Sequence, residues 1–493
     1  MVSTAKNTFY LLIAYIYQKL IALFYFIVLA RYLGADGFGK YTFALSFTAL
    51  FSVIIDFGMY SVLTREIARD KEKTKKYFGN ILTFSLVSGI FVLILVCFLI
   101  NVLHYPLVTK RLVYFSGLII FLDTLALSFY FVFRGHLNTK YEALGVIIHK
   151  TVMFLAGLFL IFIKAKLFLM LLPLLLASCF YLTNAVFWLK RKLNIWPVPR
   201  FDKETLKSLL KLSWPFFIAA LFAKLYATSD TILLSYLADD QAVGWYNAAQ
   251  KLTNAFMLLI AGSLSSALYP SLSYYFVRSK EEMGRVFTQA IFYLMLITIP
   301  LVFGLLILAK PIILFIYGTG YTPAVTTLIL LAYSIPFMFL DFIMVSLLNA
   351  GEKQKINTLI HGLGAGLFLI LNLILIPLFS QNGAALAVFL GMAIIFILEV
   401  YWSKKIVRIE KKYLFKKIIY IFLSSVLMGI PLFLLRDRIH LVFSVIFGIL
   451  VYFVFAFAFH LIQKKEMVFL KEFLLFKKGT ENGTENVKKS LGT

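Results

Sequence analysis

Apolar residues of this chain occur in blocks of about 20, separated by short segments rich in charged residues, glycine and proline. A helix of that length crosses the hydrocarbon core of a bilayer, and its backbone satisfies its own hydrogen bonds there. The pattern predicts about fourteen membrane-spanning helices, near 9–33, 38–60, 80–103, 112–134, 143–163, 167–189, 212–237, 243–270, 286–309, 324–349, 356–378, 383–403, 414–434 and 439–463. We therefore expect an all-α polytopic membrane protein.

Composition supports this reading, because 61% of the 493 residues are hydrophobic, only 14% are charged and the mean hydropathy is +0.91. A soluble domain cannot bury that much apolar surface. The formal net charge of +25 would suggest nucleic acid in a soluble chain. Here the basic residues lie mostly in short loops between spans, where they set the membrane orientation and contact anionic lipid headgroups. No nucleic-acid partner is therefore expected. Cys97 and Cys179 both lie in apolar blocks, which argues against a disulfide framework.

The distribution of lysine and arginine predicts the orientation. Even-numbered loops, counted from the amino terminus, carry dense basic clusters at 65–76, 190–211 and 404–417, whereas odd-numbered loops carry few basic residues. Lysine and arginine are retained on the cytoplasmic side. We expect both termini to be cytoplasmic and the protein to lie in the cell (cytoplasmic or plasma) membrane.

The loop after the sixth span contains Trp196-Pro197-Val198-Pro199, which cannot continue a helix. It predicts a boundary between two lobes. We expect a first lobe of six spans (1–192), a cytoplasmic linker (193–211) and a second lobe of six spans (212–405). Spans thirteen and fourteen (406–463) and a cytoplasmic tail (464–493) follow.

The two halves share ordered sequence matches. Each pairs a segment of the first half with one on the corresponding span of the second: 32–44 with 236–249, 121–123 with 339–341, and 156–161 with 365–370. Six spans per half is an even number, so both halves enter the membrane from the same side. We expect parallel repeats, with a substrate site between them near the midplane.

Ionisable residues inside spans are costly and usually face a cavity or a partner. Two polar stripes stand out at helical spacing. The first, on span seven, comprises Lys224, Thr228, Thr231 and Ser235; the second, on span eight, comprises Asn247, Gln250, Lys251 and Asn254. Lys19 in span one occupies a position similar to that of Lys224, and Lys150 in span five is a further intramembrane cation.

We predict that Lys19, Lys224 and Lys251 face one cavity and bind substrate together with Thr228, Thr231, Asn247 and Asn254. The alternative is that these cations form ion pairs or extend toward the interface. That alternative is preferred for residues near span ends, Arg31, Arg134 and Glu399. Asp230 lies off the lysine stripe and is interpreted as structural.

Asp56, Asp123 and Asp341 are candidates for carrying a coupling proton or sodium ion, or for neutralising lysines. No other cofactor is expected. His149 and His361 are interpreted as isolated residues without metal-ligand spacing, so no metal site is predicted. No long loop houses a catalytic centre, so the chain is not expected to be an enzyme. The glycine-rich segment 34–40 is similar to a phosphate-binding loop, but Tyr41 replaces the required Ser or Thr, and a corner between two helices is expected instead.

An ordered set of short motifs resembles the polysaccharide flippase family of the multidrug/oligosaccharidyl-lipid/polysaccharide exporter superfamily. The motifs lie at 31–34, 39–41, 56–58, 65–69, 230–234, 244–249, 269–270, 317–318, 349–353, 376–377 and 383–387. The resemblance covers nearly the whole chain. It implies two six-helix lobes around a central cavity that work by alternating access.

The resemblance also implies the substrate, a polyprenyl-(pyro)phosphate-linked oligosaccharide moved from the cytoplasmic to the outer leaflet. Membrane lipid and functionally linked glycosyltransferases or a polymerase are the implied partners, and the oligomeric state stays open. Relatives that flip the peptidoglycan precursor have an arginine-rich first helix. The first span of this chain has Lys19 and lacks that pattern, which argues against the peptidoglycan precursor as substrate. Two alternatives remain: a multidrug or cation exporter of the same fold, and a membrane glycosyltransferase or ligase.

Overall fold

A computed structural model describes residues 4–436 and 438–461, with the side chains of 4–6, 8 and 257–267 excluded. The predicted cytoplasmic tail at 464–493 lies outside the described residues. The helices, numbered in chain order, are α1 (Thr4–Asp56), α2 (Met59–Arg69), α3 (Thr74–Val102), α4 (Leu107–Gly135), α5 (Lys140–Phe162), α6 (Leu172–Leu193), α7 (Lys203–Leu237), α8 (Asp240–Arg278), α9 (Lys280–Tyr317), α10 (Ala324–Ala350), α11 (Gln354–Ser403), α12 (Lys411–Leu435) and α13 (Leu441–Ala458). Short 3-10 turns at Lys71–Lys73, Leu167–Leu171 and Thr319–Tyr321 complete the secondary structure, and residues 4–436 and 438–461 contain no strand.

The all-α polytopic prediction is confirmed. Within the described residues, 11 helical segments are long and apolar enough to cross a membrane. Two of them, Phe9–Arg69 with 61 residues and Gln354–Ser403 with 50, are each long enough for two crossings. Helix α8, with 39 residues, contains the predicted eighth span. The helices therefore accommodate the fourteen predicted spans, and this is a multi-pass membrane protein.

Helix α1 bends at Gly34, which has φ 67° and ψ 178°. A positive φ costs glycine little, because it has no Cβ. The bend separates the first two predicted spans and confirms that the glycine-rich segment is a corner between helices. Helix α11 bends in the same way between spans eleven and twelve, at Ser380 with φ 50° and ψ −130°, three residues after Pro377.

The described chain contains two compact units. The first comprises the chain up to Lys251 together with Ile316–Ala324 and Ala365–Ala387. Its core contains large side chains that are essentially inaccessible to solvent, among them Phe78, Phe133 and Tyr130. The repeated motifs meet in this unit: a Cβ on Gly39 would lie 1.7 Å from the carbonyl oxygen of Asp240, and one on Gly244 would lie 2.0 Å from that of Ala35.

The second unit comprises Leu252–Phe315, Val325–Gly364 and the chain from Val388 onward. In it α12 packs along α13, and Tyr452 of α13 donates a hydrogen bond of 2.7 Å to the Leu296 carbonyl of α9. The backbone carbonyl of Arg408 lies so close to Gly284 that a Cβ there would be 2.5 Å from its oxygen. The last two predicted spans are therefore packed parts of this unit.

Helix α7 begins inside the predicted linker at 193–211. Asp202 caps it by accepting hydrogen bonds from the backbone N–H groups of Glu204 and Thr205. Asp202 also forms an ion pair of 2.8 Å with Lys76 of α3, and its backbone N–H donates to Asn80 at 2.7 Å. These contacts fix the linker to α3 within the first unit. The lobe boundaries expected from the sequence stay a prediction.

Candidate functional site

The three predicted substrate-binding lysines all belong to the first unit. Lys19 is exposed on the first segment of α1, whereas Lys224 on α7 and Lys251 on α8 are half-buried. Among the described residues, none of the three ammonium groups has a carboxylate within salt-bridge distance. These cations therefore retain the capacity to attract an anion.

Lys19 lies within electrostatic range of Lys150 and Lys251 and repels both, while Asp123 attracts Lys150 and Asp230 attracts Lys251. The ammonium of Lys251 also lies 4.9 Å from the centre of the Phe26 ring on α1, a cation–π distance. The structure thus brings Lys19, Lys150 and Lys251 together, and we call these three residues the lysine cluster. Lys224 lies outside this cluster among the described residues.

Of the other four predicted binding residues, Thr231 and Asn247 lie in the contact between α7 and α8. Thr228 is buried and donates to the backbone carbonyl of Lys224 at 2.8 Å. The Asn247 amide, also buried, donates to Thr231 Oγ1 at 3.2 Å and to the Val243 carbonyl at 3.0 Å. Asn254 is half-buried on the same helix. Two of the four polar predictions, Thr231 and Asn247, thus join the helices that carry Lys224 and Lys251, whereas the hydrogen bond of Thr228 lies within α7.

Asp230 is almost completely buried beside this contact. Its carboxylate accepts hydrogen bonds from Tyr246 at 2.5 Å, from Gln250 at 2.8 Å and from the Thr231 backbone N–H at 2.6 Å. A buried carboxylate is tolerated when several donors replace its water. The prediction that Asp230 is structural is consistent with this network, whose donors include Tyr246 from the repeated segment at 236–249.

The three candidate ion-carrying aspartates have different surroundings. Asp56 Oδ1 accepts from the Tyr60 backbone N–H at 3.0 Å, at the junction between α1 and α2. Asp123 on α4 lies 3.5 Å from Nε2 of His149 on α5. Asp341 on α10 lies 3.5 Å from Nε2 of His361 on α11.

The interpretation of both histidines as isolated residues is therefore wrong. Each half of the chain places an aspartate of its matched Phe-Leu-Asp motif beside a histidine from the following span. The repeated order of Asp and then His in the sequence was a signal for this pairing. His361 also lies 3.9 Å from Glu399, whose side chain is 0% exposed. Of the two alternatives stated for Glu399, an ion pair or an extension toward the interface, the contact with His361 agrees with the first.

Arg134 is paired as predicted. Its guanidinium binds both carboxylate oxygens of Glu142, at 2.7 Å and 2.5 Å, and donates to the hydroxyl of Tyr15 at 3.0 Å. Arg31 donates from Nε to the Ile316 carbonyl at 2.6 Å. The bidentate geometry makes the Arg134–Glu142 pair a structural tie between α4 and α5.

Asp202 illustrates the electrostatics outside the membrane. The ion pair with Lys76 and the hydrogen bonds from Thr205 lower the pKa of this carboxyl to about 2. Nearby, the ion pair with Lys73 lowers the pKa of Asp70. Asp202 and Asp70 are therefore each paired with a lysine of a neighbouring basic segment.

Comparison with known proteins agrees with this architecture. Relatives include the probable low-salt glycan biosynthesis flippase Agl15 of Haloferax volcanii, 26% identical over 253 residues, or 50% of this chain and 53% of that protein. The capsular polysaccharide biosynthesis protein CapF of Staphylococcus aureus is 24% identical over 408 residues, covering 81% of this chain and 99% of that protein. The alignments with the archaeal flippase and with an uncharacterised membrane protein of Methanocaldococcus jannaschii span only about half the length of those relatives.

The fold resembles that of the lipid II flippase MurJ in its inward closed conformation, with a TM-score of 0.76 over 91% of this chain and 98% of that chain, at 19% identity. A family model named MatE matches residues 215–374. The model described as polysaccharide biosynthesis protein matches residues 4–276, more than half of the 493 residues. The chain therefore belongs to the polysaccharide biosynthesis protein family.

Proposed function

We propose that this protein is a flippase that moves a polyprenyl-(pyro)phosphate-linked oligosaccharide from the cytoplasmic to the outer leaflet by alternating access. The observation that carries the proposal is the lysine cluster, since Lys19 lies within electrostatic range of both Lys150 and Lys251 and none of the three has a salt-bridge partner among the described residues. Asp123 and Asp230 offset part of this positive charge from a distance, and a bound anion would neutralise the remainder. A pyrophosphate supplies that anion and distinguishes a lipid-linked sugar from a neutral lipid.

The strength of this attraction is appreciable. An ammonium and a phosphate oxygen 4 Å apart attract each other by about 4 kcal/mol at the effective dielectric constant typical of protein sites near a surface. The same contact is worth only about 1 kcal/mol in bulk water. Lys19 and Lys251 would bind the phosphates, with Lys224, Thr228, Thr231, Asn247 and Asn254 as the proposed surroundings of the sugar. The prenyl chain would stay in lipid.

The proposal extends to the cellular setting. The protein would lie in the cytoplasmic membrane with both termini in the cytoplasm, because the basic loops require that orientation. Glycosyltransferases would supply the lipid-linked glycan, and a polymerase or transferase would consume it on the other side. The two lobes would be 1–192 and 212–405, joined by 193–211. A proton or sodium ion carried by Asp56, Asp123 or Asp341 would couple transport to an ion gradient.

Cation export is the second candidate, favoured by the MatE model match at 215–374. A lumen that binds organic cations requires exposed acids. In the first unit, however, the ionisable groups without salt bridges among the described residues include Lys19, Lys224 and Lys251. Their charge would repel a cationic substrate.

The test uses the purified protein in proteoliposomes with a fluorescent, short-chain polyprenyl pyrophosphate-linked disaccharide in one leaflet. We expect Lys19→Ala with Lys251→Ala to slow flipping at least about tenfold, because each lost charged contact is worth roughly 1.5–3 kcal/mol. Lys19→Arg with Lys251→Arg should retain most activity. Lys164→Ala with Lys166→Ala removes two exposed loop cations and serves as the matched control.

The flipping rates of Lys224→Ala, alone and combined with Lys251→Ala, show whether Lys224 contributes to substrate binding as the sequence predicts. Unchanged flipping in the double variant that lacks Lys19 and Lys251 would refute phosphate binding by the lysine cluster. Transport of cationic dyes, but not of the lipid-linked disaccharide, would instead establish the exporter.

A further inference from the structure

Three side chains that the transport proposal leaves without a shared role converge in the second unit. They are Asp341 on α10, His361 near the start of α11 and Glu399 near its end. The ligand atoms of the three residues all lie within 4.8 Å of one another. His361 Nε2 is 3.5 Å from Asp341 Oδ1 and 3.9 Å from Glu399 Oε1.

The burial of Glu399 distinguishes this cluster from a group of exposed acids. Its side chain is 0% exposed, and neither of its carboxylate oxygens has a hydrogen-bond partner among the described residues. Oδ1 of Asp341 also has none. A buried ion without compensation costs several kcal/mol. Two carboxylates and one neutral imidazole carry a charge of minus two, which one divalent cation balances.

We propose that Asp341, His361 and Glu399 bind a divalent transition-metal cation of the zinc class. Donor atoms about 2.1 Å from a tetrahedral ion lie roughly 3.4 Å apart. The His361–Asp341 separation is already close to this value, and the Glu399 oxygen requires a shift of roughly 1.5 Å or less.

The donor set also selects the class of cation. Imidazole nitrogen suits Zn²⁺, Co²⁺ and Ni²⁺, whereas sodium, calcium and magnesium prefer oxygen ligands. Water would occupy the fourth position. His361 has 37% of its side chain exposed, so one ligand of the site is accessible from outside the cluster. The site is independent of the proposed substrate and would hold α10 and both ends of α11 together. A metal bound there would leave Asp56 or Asp123, and not Asp341, to carry the coupling ion.

The first unit supplies a natural control. Its Asp123–His149 pair has the same separation of 3.5 Å. A tyrosine ring, that of Tyr181, packs against His149 there with the ring centres 5.3 Å apart, where the second unit has a carboxylate. With two donors and no second acid grouped with them among the residues that the structure describes, this pair should not retain a metal at low concentration.

The experiment uses the full chain, purified in detergent with any affinity tag removed and stripped of metal by a chelator. We expect Zn²⁺ to bind with a stoichiometry of one, measured by titration calorimetry and by elemental analysis after gel filtration. Co²⁺ should give the visible absorption of a tetrahedral site. Glu399→Gln and Asp341→Asn preserve side-chain shape and should each weaken binding at least about tenfold. His149→Gln should leave it unchanged.

His361→Cys keeps a zinc ligand at this position. It serves as the control that separates loss of metal binding through loss of a ligand from loss through misfolding. It should bind Co²⁺ and add a sulfur-to-cobalt charge-transfer band. Failure of the wild-type protein to bind Zn²⁺ at micromolar concentration would overturn the proposal, and the two acids would then share a proton. Equal binding by Glu399→Gln, or displacement of Zn²⁺ by 100 mM sodium, would overturn it as well.

Discussion

Replacing Gly39 with alanine adds one methyl group where the two repeated motifs meet. The new Cβ would lie 1.7 Å from the Asp240 carbonyl oxygen and 3.1 Å from the Gly244 nitrogen. A carbon atom in ordinary van der Waals contact needs about 3.5 Å, so one backbone segment must move by roughly 2 Å. Both neighbouring atoms belong to the backbone, and no rotamer change relieves the overlap. We expect the substitution to lower the free energy of unfolding by about 3 kcal/mol, the upper end of the range for overpacked cores. This corresponds to roughly a hundredfold change in the unfolding equilibrium constant.

Denaturant unfolding of the purified protein, followed by tryptophan fluorescence in one detergent, measures this cost. Gly304→Ala is the matched control, because its Cβ would meet nothing within 4 Å and alanine favours a helix. We expect Gly39→Ala to lower the denaturant concentration at the unfolding midpoint strongly. Gly304→Ala should leave this midpoint unchanged or raise it. If the two variants unfold alike, the close backbone contact does not exist in the protein.

Three further predictions concern polar contacts. Arg134→Ala leaves the buried Glu142 carboxylate unpaired and should cost roughly 3–5 kcal/mol in the same assay, part of which Arg134→Leu combined with Glu142→Leu should restore. Tyr246→Phe removes the hydroxyl that donates to the buried carboxylate of α7 and should cost roughly 1.5–3 kcal/mol, whereas a loss below the error of the assay would refute that bond. The pKa of Asp202 lies at about 2, below its ordinary value of 3.8, chiefly because of Lys76. Its ion pair therefore contributes stability above pH 4 that is lost as the pH falls through 2, and Asp202→Asn should flatten the wild-type decline measured across that interval.

Most of the fold follows from the sequence, because a bilayer imposes simple rules on a chain. An apolar block of about 20 residues can only cross as a helix, so span positions follow from hydropathy. The bend at Gly34 was also predictable, since clustered glycines between two apolar blocks indicate a corner. The bend at Ser380 likewise falls in the gap between the predicted spans 356–378 and 383–403, between Pro377 and Gly383.

The candidate site was predicted only in part. Periodicity relates residues on one helix, and it placed Thr228 and Lys224 on a common stripe. It does not show which helices pack together. Asp341 and Glu399 are separated by a span and a bend in the chain, so their contact depends on tertiary packing. The lysine cluster arises in the same way, from α1, α5 and α8, and the sequence therefore could not indicate that Lys150 belongs to it.

The length of helix α7 makes its support by neighbouring helices important. With 35 residues it is about 52 Å long, begins inside the predicted linker and carries Lys224. Pro215 removes one backbone hydrogen bond of this helix. Beside the proline, the backbone of Gly58 leaves no room for a Cβ against Phe216, and the ring of Phe217 stacks on Phe57 with centres 4.3 Å apart. Close packing on the junction between α1 and α2 therefore supports α7 at the position where its own hydrogen bonding is interrupted.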